Sequence, residues 1–265
     1  MKSTHKYLIF ILLLGFISCD LEEEPYGFYS EDNFYQTAED AEAAINYAYD
    51  ALTYLEYSRA FFYLGDLPTD EAYPKPDEGA DVQNLNNWSI SNFSTNGILS
   101  NYFKYGYIAI NRSNAVLKNV PEGDFDQGIK DQLMGEAYFL RAWSYFNLVK
   151  AFGNIPMQTG LVETIDQTTS PISANLDEVY DLIISDSQNA IDLMGLEQRL
   201  GRVDKVAAQA LLSKVYLHIA SSKEHGVSLY AEMDKDVNEM YNLAAQYSSD
   251  VLEGQSIYGF EDDLI

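Results

Sequence analysis

The chain has 265 residues, and 41 acidic side chains against 16 lysines and arginines give it a formal net charge of -25 at pH 7. A field of this sign repels phosphate groups, which excludes DNA and RNA as partners. Hydrophobic residues make up 47% of the chain, enough for one substantial core, so we expect a globular protein rather than a disordered one.

The first 18 residues have the order of a secretory signal peptide. Lys2 and Lys6 precede an apolar run, YLIFILLLGF, and a small residue, Ser18, stands just before Cys19. The run is too short to cross a bilayer, which takes roughly 20 apolar residues. We therefore predict that residues 1–18 are removed as a lipoprotein signal peptide and that residues 19–36 form an acidic tether.

Cys19 is the single cysteine of the chain, and Phe16-Ile17-Ser18-Cys19 resembles the lipobox of bacterial lipoproteins. In that motif the cysteine thiol carries a diacylglycerol group, so we expect Cys19 to anchor the chain to a membrane. A lone cysteine can form no internal disulfide. The alternative is an ordinary signal peptide that happens to contain a cysteine.

Apolar residues at helical spacing predict six helices, and no run of strict alternation predicts a strand. The first helix follows Thr37, which with Asp40 would form an N-terminal cap, and its apolar positions continue to Leu55. The other five are expected at about 97–120, 129–152 and 175–195, after Asp204, and at about 237–251. The fold class is therefore mostly α.

The helix expected at 129–152 is apolar on nearly every face, which places it in the middle of a helical core. Arg141 lies within it and would need a buried or half-buried ion-pair partner. The helices pair as hairpins, much as in tetratricopeptide-like arrays. Two long loop inserts, Gly65 to Thr95 and Gly153 to Ala174, interrupt them, and loops of this length are typically functional or disordered.

Two sequence blocks carry a family resemblance. GEAYFLRAWSYFNLVKAFGNIPM (135–157) and GRVDKVAAQALLSKVYLH (201–218) are similar to the SusD/RagB family. The lipobox, the Asp70-Glu71 pair and a helix with Asn111 and Asn114 precede them in the family's order. The resemblance implies a SusD-like α-helical domain at 37–265. Because family members are roughly twice as long, we expect the chain to be truncated before the C-terminal half of the family.

The resemblance also implies a function. Such proteins are outer membrane lipoproteins that sit as a lid over a SusC-like TonB-dependent transporter and bind a nutrient, most often an oligosaccharide, without hydrolysing it and without a cofactor. The acidic run after Cys19 is similar to the signal that exports these lipoproteins to the cell exterior. The alternative is an acidic linker exposed to solvent, which would have the same sequence pattern. A helical-repeat scaffold that holds protein partners at the cell surface and binds no small ligand is the alternative.

Sugar recognition needs flat apolar faces for the rings and planar polar groups for the hydroxyls, commonly on exposed loops. The insert from Gly65 to Thr95 supplies such residues. The candidates for ligand contact are Asp70, Glu71, Tyr73, Asn87 and Trp88. Each also has a structural explanation, since Trp88 could pack under the loop and Asp70 could cap a turn.

The sequence offers little for catalysis or metal binding. The three histidines are His5, His218 and His225, and no HExxH motif, phosphate-binding glycine loop or nucleophile elbow is present. Two acidic patterns, at 124–128 and 234–238, have oxygens at spacings that suit calcium but lack the full twelve-residue loop. Because both precede predicted helices, favourable interaction with the helix dipole is the alternative, and we expect no metal site.

Overall fold

A helix that is apolar on nearly every face is stable only when other helices surround it. The computed structural model, which describes residues 34–90, 95–196, 199–253 and 258, places such a helix at Gln127–Phe152. The helices before and after it in the chain pack on it, as does the first helix. The described residues from Tyr35 onward group into one compact unit.

The described residues form nine α-helices and no strand. In chain order these are α1 (Ala38–Asp50), α2 (Leu55–Asp66), α3 (Ala80–Asn86), α4 (Gly97–Asn119), α5 (Gln127–Phe152), α6 (Leu176–Leu193), α7 (Lys205–Glu224), α8 (Ser228–Ala231) and α9 (Val237–Glu253). Two short 3-10 turns lie at Val120–Glu122 and Ile165–Thr168. The mostly α fold class is thereby confirmed.

Consecutive long helices stack on one another, as the predicted hairpin arrangement requires. Helix α4 packs on α5, α5 on α6, α6 on α7 and α7 on α9. Two glycines allow close approach: a Cβ on Gly135 would lie 2.5 Å from Cγ of Met194, and one on Gly106 would lie 3.0 Å from Cδ2 of Leu148. Close packing of this kind fixes the order of the stack.

The cap predicted at Thr37 is confirmed, and two further helices begin with side-chain caps. Thr37 and Asp40 form a reciprocal capping box at the start of α1. The side chain of Asn175 accepts a hydrogen bond from the amide of Glu178, and that of Asp204 accepts one from Ala207. These contacts set the starts of α1, α6 and α7.

The first helix is shorter than predicted. In the structure α1 ends at Asp50, and a separate helix that was not predicted, α2, begins at Leu55. Amide groups between them donate to carbonyls three residues back, and the hydroxyl of Thr53 donates to the Asp50 carbonyl at 2.9 Å. Because the apolar spacing continues in phase through this turn, the sequence pattern alone does not reveal it.

The buried ion pair predicted at Arg141 is confirmed. Its guanidinium donates to both carboxylate oxygens of Asp186 on α6, with N···O distances of 2.7 Å for each. Arg141 is 7% exposed and Asp186 is 1% exposed. Burial raises the pKa of the Asp186 carboxyl, and the guanidinium beside it offsets part of that rise.

Several sequence predictions fall outside the described residues. The signal peptide at 1–18, the lipidation site Cys19 and most of the acidic tether at 19–36 are among them, as are the last residues, where truncation is expected. The boundary of the helical domain at 37–265 stays a prediction. Within the described part of the chain, no helix combines the length and apolar character needed to span a membrane.

Candidate functional site

The five predicted ligand-contact residues lie on either side of the short helix α3. Asp70, Glu71 and Tyr73 belong to the stretch between α2 and α3, and Asn87 and Trp88 follow the last residue of α3. All five residues are exposed. We call residues 67–90 the Trp88 loop. Contrary to prediction, the insert from Gly65 to Thr95 is not simply a loop, because α3 stiffens it.

An apolar cluster anchors the Trp88 loop to the body of the domain. Leu67, Val82 and Leu85 are buried together with Leu99 of α4. Burial of such side chains stabilises each by roughly 1.5–3 kcal/mol relative to exposure. The base of the loop is therefore fixed, although its tip faces solvent.

Polar contacts then fix α3 against the start of α4. Asn96 caps α4 by accepting from the amides of Ile98 and Leu99, and its amide group donates to the Asp81 carbonyl at 3.1 Å. The Asp81 carboxylate accepts from the amide of Gly97 at 2.8 Å. Asn96 and Asp81 thus hold the first turn of α3 against the start of α4.

Trp88 presents its ring to solvent. It is 75% exposed, and its indole N–H donates to the carbonyl of Pro68 at 3.1 Å, which joins the two ends of the loop. Its backbone has a φ of +52°, a left-handed conformation that is uncommon and strained for a residue with a large side chain. The suggestion that Trp88 packs under the loop is therefore wrong.

The other predicted residues are exposed polar and aromatic groups of the same loop. Tyr73 is 78% exposed. Thr69, and not Asp70, makes the turn contact, because the Thr69 hydroxyl donates to the Asp66 carbonyl at 2.6 Å. Among the described residues, the carboxylates of Asp70 and Glu71 form no hydrogen bond or ion pair, so they remain available to a ligand.

A second concavity, which the sequence analysis missed, has a volume of about 620 Å³ and lies between α4 and the insert at 153–174. We call it the α4 groove. The hydroxyl of Tyr107 donates to the Pro156 carbonyl at 2.6 Å, and the amide of Val162 donates to the side-chain oxygen of Asn111 at 2.9 Å. These contacts hold the insert against α4. Residues 103, 104, 107, 108, 111 and 112 line the groove at helical spacing, which is the signal that could have revealed it.

Buried polar groups fix the path of the insert more deeply. Asn114 donates to the carbonyls of Gln158 and Gly160 at 3.0 and 2.9 Å. Arg141 donates to the side-chain oxygen of Asn114 and to the Thr159 carbonyl at 2.7 and 3.1 Å. The backbone of the insert therefore satisfies its hydrogen bonds on side chains of α4 and α5.

A third concavity, of about 360 Å³, is mainly apolar and lies where α1, α2 and α5 meet. Tyr57, Phe61 and Trp143 are among the residues that line it. The rings of Phe61 and Trp143 stack with centroids 6.2 Å apart. We call this the aromatic cleft.

The structure assigns a local role to both acidic patterns considered for calcium. Asp126 accepts from the amide of Ile129 at the start of α5, and Asp236 accepts from that of Glu239 at the start of α9. Within the part of the chain that the structure describes, no three histidine, cysteine or carboxylate side chains are grouped closely enough to hold a metal ion.

Comparison with known proteins connects this geometry to a family. Residues 27–217 match the profile of a SusD-like family described as "Starch-binding associating with outer membrane". SusD-like protein P2 of Formosa agariphila is 28% identical over 218 residues, which cover 80% of this chain and 43% of that protein. A SusD-like protein of Bacteroides ovatus is 24% identical over 256 residues, which cover 92% of this chain and 43% of the relative.

Solved structures share the fold. A SusD superfamily protein from Bacteroides thetaiotaomicron superimposes with a TM-score of 0.68 at 21% identity, over 85% of this chain and 48% of that one. A laminarin-binding SusD-like protein superimposes with a TM-score of 0.62 at 25% identity, over 80% of this chain and 43% of that one. A structure with a xylogluco-oligosaccharide superimposes with a TM-score of 0.69 at 22% identity, over 82% of this chain and 40% of that one. This chain thus spans less than half the length of these relatives.

Proposed function

Because this chain belongs to the SusD-like family, we propose that it is a non-catalytic protein that binds an oligosaccharide on the Trp88 loop. The observation that carries this proposal is the exposed indole of Trp88, which is held at the loop surface by its hydrogen bond to Pro68. A family relative described as laminarin-binding supports the ligand class.

The chemistry of the loop suits a sugar chain. An exposed indole offers a flat apolar face to the C–H surface of a sugar ring, and Tyr73 offers a second ring. Among the described residues, Asp70 and Glu71 keep carboxylate oxygens free to accept from sugar hydroxyls. Stacking and hydrogen bonding hold a sugar without breaking a bond, so we propose binding and not hydrolysis at this loop.

The cellular setting is part of the proposal. A lipid on Cys19 would anchor the chain to the outer membrane, facing the exterior, where it would deliver the bound oligosaccharide to a SusC-like TonB-dependent transporter. The family description, which includes association with the outer membrane, supports this location. The chain covers 43% of the length of each of these two relatives, so we give the anchoring and delivery roles as proposals.

Affinity electrophoresis tests the proposal. The purified chain is run in gels that contain laminarin, xyloglucan or starch, next to Trp88→Ala and the control Leu200→Ala, which removes a fully exposed apolar side chain elsewhere. We expect retardation by at least one glycan, unchanged in Leu200→Ala and largely lost in Trp88→Ala. A wild-type chain that no glycan in a wider panel retards, or equal retardation of Trp88→Ala, would overturn it.

The scaffold alternative rests on the aromatic cleft, since apolar concavities also receive protein partners. A cheap observation separates the two functions. A gene for a SusC-like barrel beside the gene for this chain supports nutrient uptake, and its absence favours the scaffold.

A further inference from the structure

The α4 groove differs in charge from the rest of this acidic chain. Among the described residues no carboxylate lines it, and the two charged residues that do, Lys104 and Arg112, are both cations. A concavity of about 860 Å³ between α1 and α5 is lined by four carboxylates and one arginine. In a protein of net charge -25, a concavity whose charged lining residues are both cations is unusual.

The two cations of the groove are not equivalent. Arg112 is committed internally, because its guanidinium donates to the Tyr47 carbonyl at 2.7 Å and to the Asp50 carboxylate at 3.1 Å. It also stacks on the Tyr47 ring at 3.4 Å. Lys104 is exposed, its ammonium lies 5.4 Å from the centre of the Tyr105 ring, and it forms no ion pair among the described residues. Of the described residues that line the groove, Lys104 is therefore the cation without a carboxylate partner.

The remaining lining groups are those that recognise sugars. The rings of Phe103 and Tyr107 lie side by side with centroids 4.6 Å apart. Burial raises the pKa of Tyr107 above its ordinary value. The side-chain oxygen of Asn111 is occupied by Val162, but its NH2 group has no partner in the described part of the chain. The hydroxyls of Thr168 and Ser170 donate to the Ile165 carbonyl and the Gln158 side chain, so toward a ligand they can act as acceptors.

The groove is also preorganised. Its far wall is the insert at 153–174, whose backbone is held by buried side chains of α4 and α5, above all Asn114 and Arg141. A wall fixed in this way does not have to be ordered when a ligand binds, which lowers the entropic cost of binding. Its volume of about 620 Å³ lies within the range of small-ligand sites.

We propose that the α4 groove is a second binding site, specific for an acidic sugar, in which Lys104 pairs with a carboxylate or sulfate group of the ligand. Phe103 and Tyr107 contact the sugar ring, and the NH2 group of Asn111 donates to a ring hydroxyl. The proposal rests on the proposed carbohydrate-binding function, but it uses no residue of the Trp88 loop.

Isothermal titration calorimetry of the purified chain tests this site with three probes. Oligogalacturonate supplies a carboxylate, a carrageenan oligosaccharide supplies a sulfate, and maltoheptaose is neutral. We expect at least one acidic probe to bind, and the affinity to fall about fivefold in Lys104→Gln. The matched control is Lys214→Gln, which removes the same charge from an exposed lysine of α7 and should leave the affinity unchanged. Added salt should weaken binding of the acidic probe.

The outcomes separate this site from the Trp88 loop. An acidic probe that binds Trp88→Ala normally and Lys104→Gln weakly supports the proposal, even if Trp88→Ala has no effect on neutral glycans. Binding of one acid but not the other identifies the acidic group. The proposal is overturned if neither acidic probe binds, if Lys104→Gln binds as tightly as the wild type, or if Trp88→Ala abolishes acidic-probe binding.

Discussion

Arg141 on α5 and Asp186 on α6 form a bidentate ion pair at the centre of the helical stack, with two N···O distances of 2.7 Å. The same guanidinium reaches Asn114 on α4 and the backbone of the insert at Thr159. One side chain therefore connects three helices with the wall of the α4 groove. An arginine suits this position because its planar fork offers several donors in fixed directions.

Replacing Arg141 by methionine should destabilise the domain severely. The substitution leaves the Asp186 carboxylate buried without its partner, and breaking a buried pair in this way costs about 3–5 kcal/mol in the free energy of unfolding. Urea denaturation followed by circular dichroism measures this loss. Arg59→Met, which changes an exposed arginine of α2, should stay within about 0.5 kcal/mol of the wild type.

The double variant Arg141→Met/Asp186→Leu tests whether the lost stability comes from the unpaired carboxylate of Asp186. Because it leaves no uncompensated charge, we expect it to recover much of the stability that Arg141→Met loses. A single variant that unfolds at the same urea concentration as the wild type would show that the pair is not needed for the stack.

The close approach of Gly135 to Met194 predicts the effect of adding a side chain at position 135. A Cβ at position 135 would lie 2.5 Å from Cγ of Met194, so Gly135→Ala should force α5 and α6 apart and cost about 1–3 kcal/mol. The matched control is Gly65→Ala on α2, where a Cβ meets nothing within 4 Å. There the better helix propensity of alanine should stabilise by about 0.5–1 kcal/mol. Thermal melts that rank the two variants in the opposite order would contradict this packing.

His218 makes the stability of the fold depend on pH. Burial, with the charges of Lys150 and Lys214, lowers its pKa to about 4 from the ordinary value of 6.5. Between these values the unfolded chain binds more protons at this residue than the folded chain does, so its contribution to stability falls as the pH falls from 6.5 to 4. In the fold the Nε2 atom of His218 lies 3.0 Å from the Tyr230 hydroxyl oxygen, and the imidazole is edge-on to the Phe146 ring.

The test compares the melting temperature at pH 7 and pH 5. His218→Phe should lose less stability than the wild type between these two values, because it removes the proton-binding group. His225→Phe, a change at an exposed histidine, serves as the control and should follow the wild type. Identical pH dependence in His218→Phe would contradict the assignment.

The predicted lipid anchor has its own test. Cells that express the chain are labelled with a radioactive fatty acid, and we expect the label in the wild-type protein and none in Cys19→Ala. If the exterior location is correct, added protease should also degrade the wild-type protein on intact cells. Label that persists in Cys19→Ala would rule out Cys19 as the lipidation site.

The long helices could be predicted from the sequence, because the spacing of their apolar residues is a local property of the chain. The long helices α4 to α7 appear within a few residues of their expected bounds because each keeps an apolar stripe and a recognisable cap. Arg141 could be predicted to need a partner, since a charge in an apolar helix requires one. Its partner Asp186, 45 residues away, could not be identified from spacing.

The features that the sequence did not predict are short helices and a groove formed by residues far apart in the chain. Helix α3 has seven residues, too few to show a period, and α2 continues the apolar phase of α1. The α4 groove depends on where the insert lies, which long-range contacts such as that of Asn114 with Gln158 decide. The Trp88 loop residues were predicted from their chemistry, but the exposure of Trp88 required the structure.

The most direct test of oligosaccharide binding on the Trp88 loop uses the two tryptophans of the chain. Trp143→Phe leaves Trp88 as the single indole, and Trp88→Phe leaves Trp143. A glycan that retards the wild-type chain is titrated into each variant while the tryptophan emission is recorded. A sugar ring stacked on Trp88 excludes water from the indole, so we predict an emission shift to shorter wavelength in Trp143→Phe and none in Trp88→Phe. A glycan that binds without changing the emission of Trp88 would contradict the proposed site.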